Sequence, residues 1–250
     1  MDEAKKYTFE NPEYRERYWH TSSHIMAQAV KRLWPEVKLA IGPSIAEGWY
    51  YDLYAPFAFT PEHMEQIEAE MKKICKEKLF EELGLQEGDE PVIGIVTRFV
   101  SHKGLDLCKA VLDELLATTD IQLVVLGSGD YQYEEFFRGL AARYPEQVGL
   151  CLGFVPDLAR KIYAGSDLFL MPSKSEPCGL SQMVALRYGS IPIVRETGGL
   201  RDSVKDSGDN EGNGFTFANY NSHEMLHAIR RACEGYSDKK GWKILVKRAM

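Results

Sequence analysis

Residues 168–187, LFLMPSKSEPCGLSQMVALR, decide how the chain folds. The four apolar residues Leu168–Met171, stopped by Pro172, are too few for a helix and read as a short buried strand. A loop of proline, glycine and small polar residues follows, and a helical pattern then runs from Leu180 to Gly189. The same strand–loop–helix alternation recurs on both sides. The other strand candidates are VIGIV (92–96), IQLVVL (121–126), VGLCL (148–152), IPIV (191–194) and GFTF (214–217). Between them lie helical patterns at 105–116, 134–144, 158–165 and 222–235. Short, almost wholly apolar strands alternating with helices specify an α/β fold, a Rossmann-like parallel sheet with helices on both faces.

Ligands in such sheets bind beyond the carboxyl ends of the strands, so the loops after the strands are where chemistry is sought. After the first strand, TRFVSHKG places Arg98 and Lys103 five residues apart. After the second, GSGD makes a glycine-rich turn with Gly127 and Gly129. After the fourth, PSKSEPCGLSQ carries Glu176, held extended by the proline that follows it. Cys178, Gly179, Leu180 and Ser181 then open a helix whose free amides suit an anion. A carboxylate beside an anion site suits a ligand that also offers hydroxyl donors, as a sugar nucleotide does. Arg98 would meet its pyrophosphate as a bidentate fork and Lys103 as a point charge. Taken singly, an Arg-x4-Lys pair is usually a solvated face and a GSGD string usually a turn. The weight lies in all three loops falling at the same sheet edge.

The totals narrow the classes of function. With 250 residues, 44% hydrophobic and a net charge of −7, the chain has the composition of a globular protein without a global basic field for nucleic acid. Five scattered cysteines form no CxxC pair, which points to a reducing cytoplasm rather than a disulfide framework. The start of the chain is polar and no segment is apolar enough for a membrane helix, so a soluble protein without a membrane partner is expected.

The strings VTRFVSHKGLDL, VVLGSGD, MPSKSEPCGLSQMVALRYGSIPIVRETGGLRDSV and NGFTF closely resemble the C-terminal, donor-binding half of bacterial glycogen and starch synthases, over about residues 76–250. These are retaining GT-B glycosyltransferases that use ADP-glucose to extend α-1,4-glucan. The resemblance implies that Arg98 and Lys103 hold the phosphates and Glu176 engages hydroxyls of the transferred glucose. It also implies that the turn at Gly179–Ser181 meets the phosphates through its amides. Phe154 stands where the family usually has a tyrosine stacked on adenine, keeping the stacking face. Val184 stands where the wider superfamily has a second glutamate, an acid glycogen synthases commonly lack. No metal or other cofactor is implied, because the two cations neutralise the departing ADP. The family's N-terminal half, with its KxGGL loop and acceptor surface, has no counterpart here, so binding of ADP or ADP-glucose without glucan elongation is expected. A non-catalytic nucleotide-binding module is the alternative.

Residues 18–74 have a different texture. Their HTSSH and IGPSIAEGWYYD strings resemble the start of the editing domain of bacterial threonyl-tRNA synthetases. His20 and His24 share a helix face, as metal ligands or a catalytic pair would, but the later Cys-x3-His of that family is absent. A remnant of a tRNA-editing protein is therefore a third reading, and an acidic chain with a truncated signature is a poor tRNA partner. Helical patterns are expected over 21–33 and from Thr60-Pro61-Glu62, a capped start, to a stop at Gly84. Within the second, EAEMKKICKEKLFEEL (68–83), the resemblance passes from one family to the other near residues 74–76. The expected organisation is a partial α+β segment over 1–74, a linking helix, and a glycosyltransferase domain over 75–250.

Overall fold

The computed structural model describes residues 11–45, 47–209 and 211–250. The first ten residues, which open the polar N-terminal stretch and the first expected domain, lie outside the described residues. So does Ala46, within the IGPSIAEGWYYD string. The chain divides into two compact units, Met1–Lys76 and Glu77–Met250.

In the first unit, α1 (Pro12–Leu33) begins nine residues before the helix expected from Thr21. Asn11 explains the earlier start: its side chain accepts from the Glu13 amide and Pro12 occupies the first helical turn. Two short antiparallel pairs follow. β1 (Lys38–Leu39) pairs with β4 (Leu53–Tyr54), and β2 (Ser44–Ile45) pairs with β3 (Gly48–Trp49). Then α2 (Pro61–Leu83) runs across the division between the units. Its Ile67 and Ile74 are buried with Ala29, Val30 and Val37 in the core of the first unit. Trp34, Phe57, Phe59 and His63 gather at the edge of that core, with ring centroids 5.0–6.0 Å apart.

The second unit alternates regularly: β5 (Val92–Val96), α3 (Leu105–Thr118), β6 (Gln122–Gly127), α4 (Tyr131–Arg143), β7 (Val148–Leu152), α5 (Pro156–Gly165), β8 (Leu168–Met171) and α6 (Ser181–Arg187). It continues with β9 (Ile191–Arg195), α7 (Gly198–Ser203), β10 (Phe215–Phe217), α8 (Ser222–Ser237) and α9 (Lys239–Ala249). The six strands β5–β10 form one parallel sheet in the order β10-β9-β8-β5-β6-β7. Successive residues of each strand serve opposite faces. Ile93, Ile95, Leu123 and Val125 enter a core with α3, α4 and α8. Val92, Val124 and Leu126 enter another with Leu79, Phe80, Leu158 and Ile162. That is why these strands are apolar throughout rather than alternating. Burying each such side chain contributes roughly 1.5–3 kcal/mol before the entropy of ordering it.

The strand order reverses direction at β5. The chain steps outward from β5 to β6 and β7, then returns to the other side of β5 with β8. The crevice beyond the carboxyl ends of β5 and β8 is the topological switch point, where an open α/β sheet receives its ligand.

Candidate functional site

Two loops meet in that crevice. The first, after β5, is anchored by Phe99, which is fully buried and packs against Phe137 with ring centroids 5.2 Å apart. Burying Phe99 leaves its neighbour Arg98 exposed, and the Arg98 guanidinium has no ion-pair partner among the described residues. A single 3-10 turn, Ser101–Lys103, then turns Lys103 back over the end of the sheet. The second loop, after β8, is fastened to the first by its main chain: the Lys174 amide donates to the His102 carbonyl at 2.9 Å.

The result is a direct meeting of Lys103 and Glu176, 73 residues apart in the chain. Lys103 Nζ donates to Glu176 Oε2 at 2.5 Å, and both side chains are largely buried. Ser173 Oγ donates to the same carboxylate oxygen at 3.2 Å. They line a small cavity of about 50 Å³ whose other walls include Thr97 and Gly179–Ser181. Small-molecule sites usually span several hundred Å³, roughly 300–1,000, so a space of that size takes only a fragment of such a ligand. The remainder of such a ligand would lie in the open crevice.

The glycine-rich turn has a packing reason of its own. A Cβ at Gly127 would lie 1.9 Å from the Thr97 carbonyl oxygen, and one at Gly129 would lie 2.4 Å from that of Phe99. The Phe99 amide donates to the Ser128 carbonyl at 2.8 Å and the Asp130 amide to the Phe99 carbonyl at 2.7 Å. Gly127 and Gly129 thus let the GSGD turn brace the loop that carries Arg98 and Lys103, and neither lines the cavity. Phe154, in the loop after β7, is 85% exposed and makes no ring contact among the described residues. Cys178 and Leu180 are exposed, and Ser181 is the first residue of α6, a helix of only seven residues. Gln182, fully buried, donates to the Gly179 carbonyl at 2.9 Å and to Ser203 Oγ at 3.0 Å, fixing that turn from beneath.

Two contributors escaped the sequence reading. Ser173 looked like loop filler, and nothing in PSKSEP marks its hydroxyl as buried against a carboxylate. The TGGL string (197–200) looked like part of a family match only. In space a Cβ at Gly198 would lie 2.2 Å from the Glu176 carbonyl oxygen, and one at Gly199 would lie 1.9 Å from that of Cys178. The Gly199 amide donates to the Glu176 carbonyl at 3.1 Å. The two glycines let α7 press directly on the main chain that presents Glu176. A doublet of glycines after a strand is the signal that would have found them.

In the first unit, the pair on α1 is brought together as its spacing predicts. His20 and His24 have Nε2 atoms 3.1 Å apart and rings in edge-to-face contact. No cluster of three or more potential metal ligands occurs among the described residues. None of the described helices is long and apolar enough to cross a membrane.

Residues 76–244 match the family described as glycosyl transferases group 1. The glycogen synthase of Bacillus cereus strain Q1 is 55% identical over 167 residues, which is 66% of this chain and 35% of that protein. The glycogen synthase of Geobacillus thermodenitrificans strain NG80-2 is 54% identical over 184 residues, 72% of this chain and 38% of that one. Among solved structures, the catalytic domain of starch synthase IV from Arabidopsis thaliana, bound to ADP and acarbose, superposes with a TM-score of 0.66 at 38% identity. The alignment covers 72% of this chain and 38% of that chain. The chain therefore spans little more than a third of the length of these relatives. The six-stranded parallel sheet flanked by helices is one half of a GT-B fold. On the family match over its second unit, this chain belongs to the glycosyl transferases group 1.

Proposed function

We propose that the second unit is the donor half of a glycogen or starch synthase-type glucosyltransferase, binding ADP-glucose at the crevice between β5 and β8. The observation that carries this reading is the convergence of Lys103 and Glu176, at 2.5 Å, on the switch point of the sheet. The names of the relatives and the ADP in the starch synthase structure support it. In the proposed complex, Arg98 and Lys103 take the pyrophosphate, and the amides of Cys178–Ser181 complete its cradle. Phe154 stacks on the adenine. Glu176 accepts from hydroxyls of the glucose.

The ion pair gives the site an order of events. Lys103 exchanges Glu176 for a phosphate when the donor enters, and Glu176 Oε2 is then free for a sugar hydroxyl. As the bond to the anomeric carbon breaks, negative charge grows on ADP, and Arg98 and Lys103 lie where it develops. That is electrostatic stabilisation aimed at the leaving group. Glu176 orients the sugar and does not attack it.

On this reading the 250-residue chain binds donor but does not elongate glucan, because the acceptor-binding half of a GT-B cleft is a second domain. The test is incorporation of labelled glucose into glycogen by the chain alone and after mixing with the N-terminal half of one of its relatives. No incorporation alone and measurable incorporation on mixing is expected. Robust elongation by the chain alone would overturn the inactive-alone reading, and silence on mixing, with binding intact, would favour a binding module. For the first unit we propose a segment like the editing domain of threonyl-tRNA synthetases, joined to the second within α2. The His20–His24 pair supports it. Release of serine from seryl-tRNA by the chain, lost in His24→Ala, would show function surviving there. Absence of any release would remove the editing activity from this reading.

A further inference from the structure

We propose that Arg195, the last residue of β9, is a positioning residue that holds the Glu176 loop in its donor-ready shape. The inference rests on the donor-site reading above. Arg195 Nε donates to the Ser173 carbonyl at 3.0 Å, Nη2 to the Lys174 carbonyl at 2.5 Å, and Nη1 to the Ala218 carbonyl at 3.5 Å. One guanidinium thus ties the end of β9 to the loops after β8 and β10. No carboxylate among the described residues pairs with it. Its charge is spent on main-chain carbonyls, and the planar fork is what lets one side chain reach three of them.

What Arg195 holds is what holds the site. Ser173 is buried, with 2% of its surface exposed, and its hydroxyl donates to Glu176 Oε2. The Lys174 and Ser175 amides donate to the His102 carbonyl, the residue before Lys103. The clamp on Ser173 and Lys174 therefore fixes both partners of the Lys103–Glu176 pair without touching either, and Arg195 does not line the cavity. A second layer stabilises the clamp. The Arg195 guanidinium lies 5.7 Å from the centre of the Tyr220 ring, the Lys174 ammonium lies 5.6 Å from it, and the Tyr220 hydroxyl donates to Asp106 on α3. Removing the guanidinium leaves carbonyls of a half-buried loop without donors, and the loop relaxes to find others. The sugar feels this first. Glu176 sits on the clamped loop itself, whereas the phosphates are also held by Arg98, whose loop is braced by the GSGD turn as well as by the His102 contact.

The test is equilibrium titration of the full chain, wild type, Arg195→Lys and Arg195→Met, with ADP and with ADP-glucose. Amide hydrogen exchange of residues 172–178 is followed in parallel. Arg195→Met is expected to weaken ADP-glucose about tenfold, to change ADP by far less, and to accelerate exchange in that loop alone. Arg195→Lys, which keeps the charge on a single donor nitrogen and loses the planar fork, is expected to fall between and serves if the methionine variant does not fold. Equal weakening of both ligands, or no change in either while Glu176→Ala still weakens ADP-glucose, would overturn the positioning role and leave the donor site standing. Failure of the wild-type chain to bind either ligand would instead remove the donor-site reading beneath it.

Discussion

Lys103 and Glu176 satisfy each other, so a ligand that takes either one must exchange it from the other. The cation proposed for a phosphate and the carboxylate proposed for a sugar neutralise each other at 2.5 Å, with Ser173 as a third partner. Glu176→Ala releases Lys103, so ADP binding is expected to hold or tighten while ADP-glucose weakens. Lys103→Ala removes a charge-assisted hydrogen bond from both, about 1.5–3 kcal/mol or roughly 10–100-fold in Kd. Titration of both variants with both ligands checks this, and a loss of ADP binding in Glu176→Ala as large as that of ADP-glucose would contradict it. The cysteines offer an independent probe. Cys178 is the exposed one of the five, beside the turn proposed to meet phosphate. Burial, with a smaller effect of Asp106, pushes the Cys108 thiol up to about 12, and burial next to Glu234 pushes Cys233 up to about 11. A thiol reagent at neutral pH is therefore expected to modify Cys178 first and to be slowed by ADP, as peptide mass mapping would show. At this scale the meeting of Lys103 and Glu176 was legible from residue type and loop position, whereas Arg98, expected beside them, does not line the cavity. Ser173 and Arg195 were not legible, because a hydroxyl or a guanidinium that serves main-chain atoms leaves no spacing rule in the sequence.

The elements of the second unit were readable because a parallel sheet covered on both faces demands continuous apolar strands, and β5, β7 and β8 span the residues expected of them. α7 and α9 were missed for physical reasons: α7 starts on two glycines, and α9 is a short helix with a strongly basic exposed face. α7 nevertheless shapes the site. Gly199→Ala must push the Cys178 carbonyl away and is expected to cost about 1–3 kcal/mol of stability and to weaken ADP-glucose binding, read by thermal denaturation and titration. Near the start of β10, Asp206 accepts from both ends of the Arg231 guanidinium, at 2.9 and 2.8 Å, and from the Thr216 amide at 2.8 Å. Burial works to raise this carboxyl, but Arg231 and the Thr216 and Gly208 amides outweigh it and hold it well below the usual carboxylate range. A depressed folded value stabilises above the unfolded pKa, about 3.9, and the gain disappears as pH falls through the folded value. Asp206→Asn is thus expected to lower Tm at neutral pH by roughly 2–4 °C, given the partial exposure of the pair. The difference from wild type should shrink below about pH 4. A constant difference down to pH 2 would contradict this assignment.

Across the whole molecule, α2 carries the division between the two units, with Ile74 in the first core and Leu79 and Phe80 in the second. The family match begins at Lys76, within the same helix. Hydrophobic periodicity alone could not reveal that division, since any amphipathic helix of this length keeps the same period whatever its two ends pack against. The loops and strands beyond it were legible because each motif falls on the same edge of one sheet. The central claim is that this edge binds a nucleotide sugar through side-chain cations. Calorimetric titration of the purified chain with ADP-glucose, ADP and UDP-glucose, with a metal chelator present, tests it most directly. The account predicts saturable one-site binding of ADP and ADP-glucose that is indifferent to the chelator and abolished by combining Arg98→Ala with Lys103→Ala. Absence of saturable heat with all three nucleotides, or binding untouched by the double substitution, would contradict it.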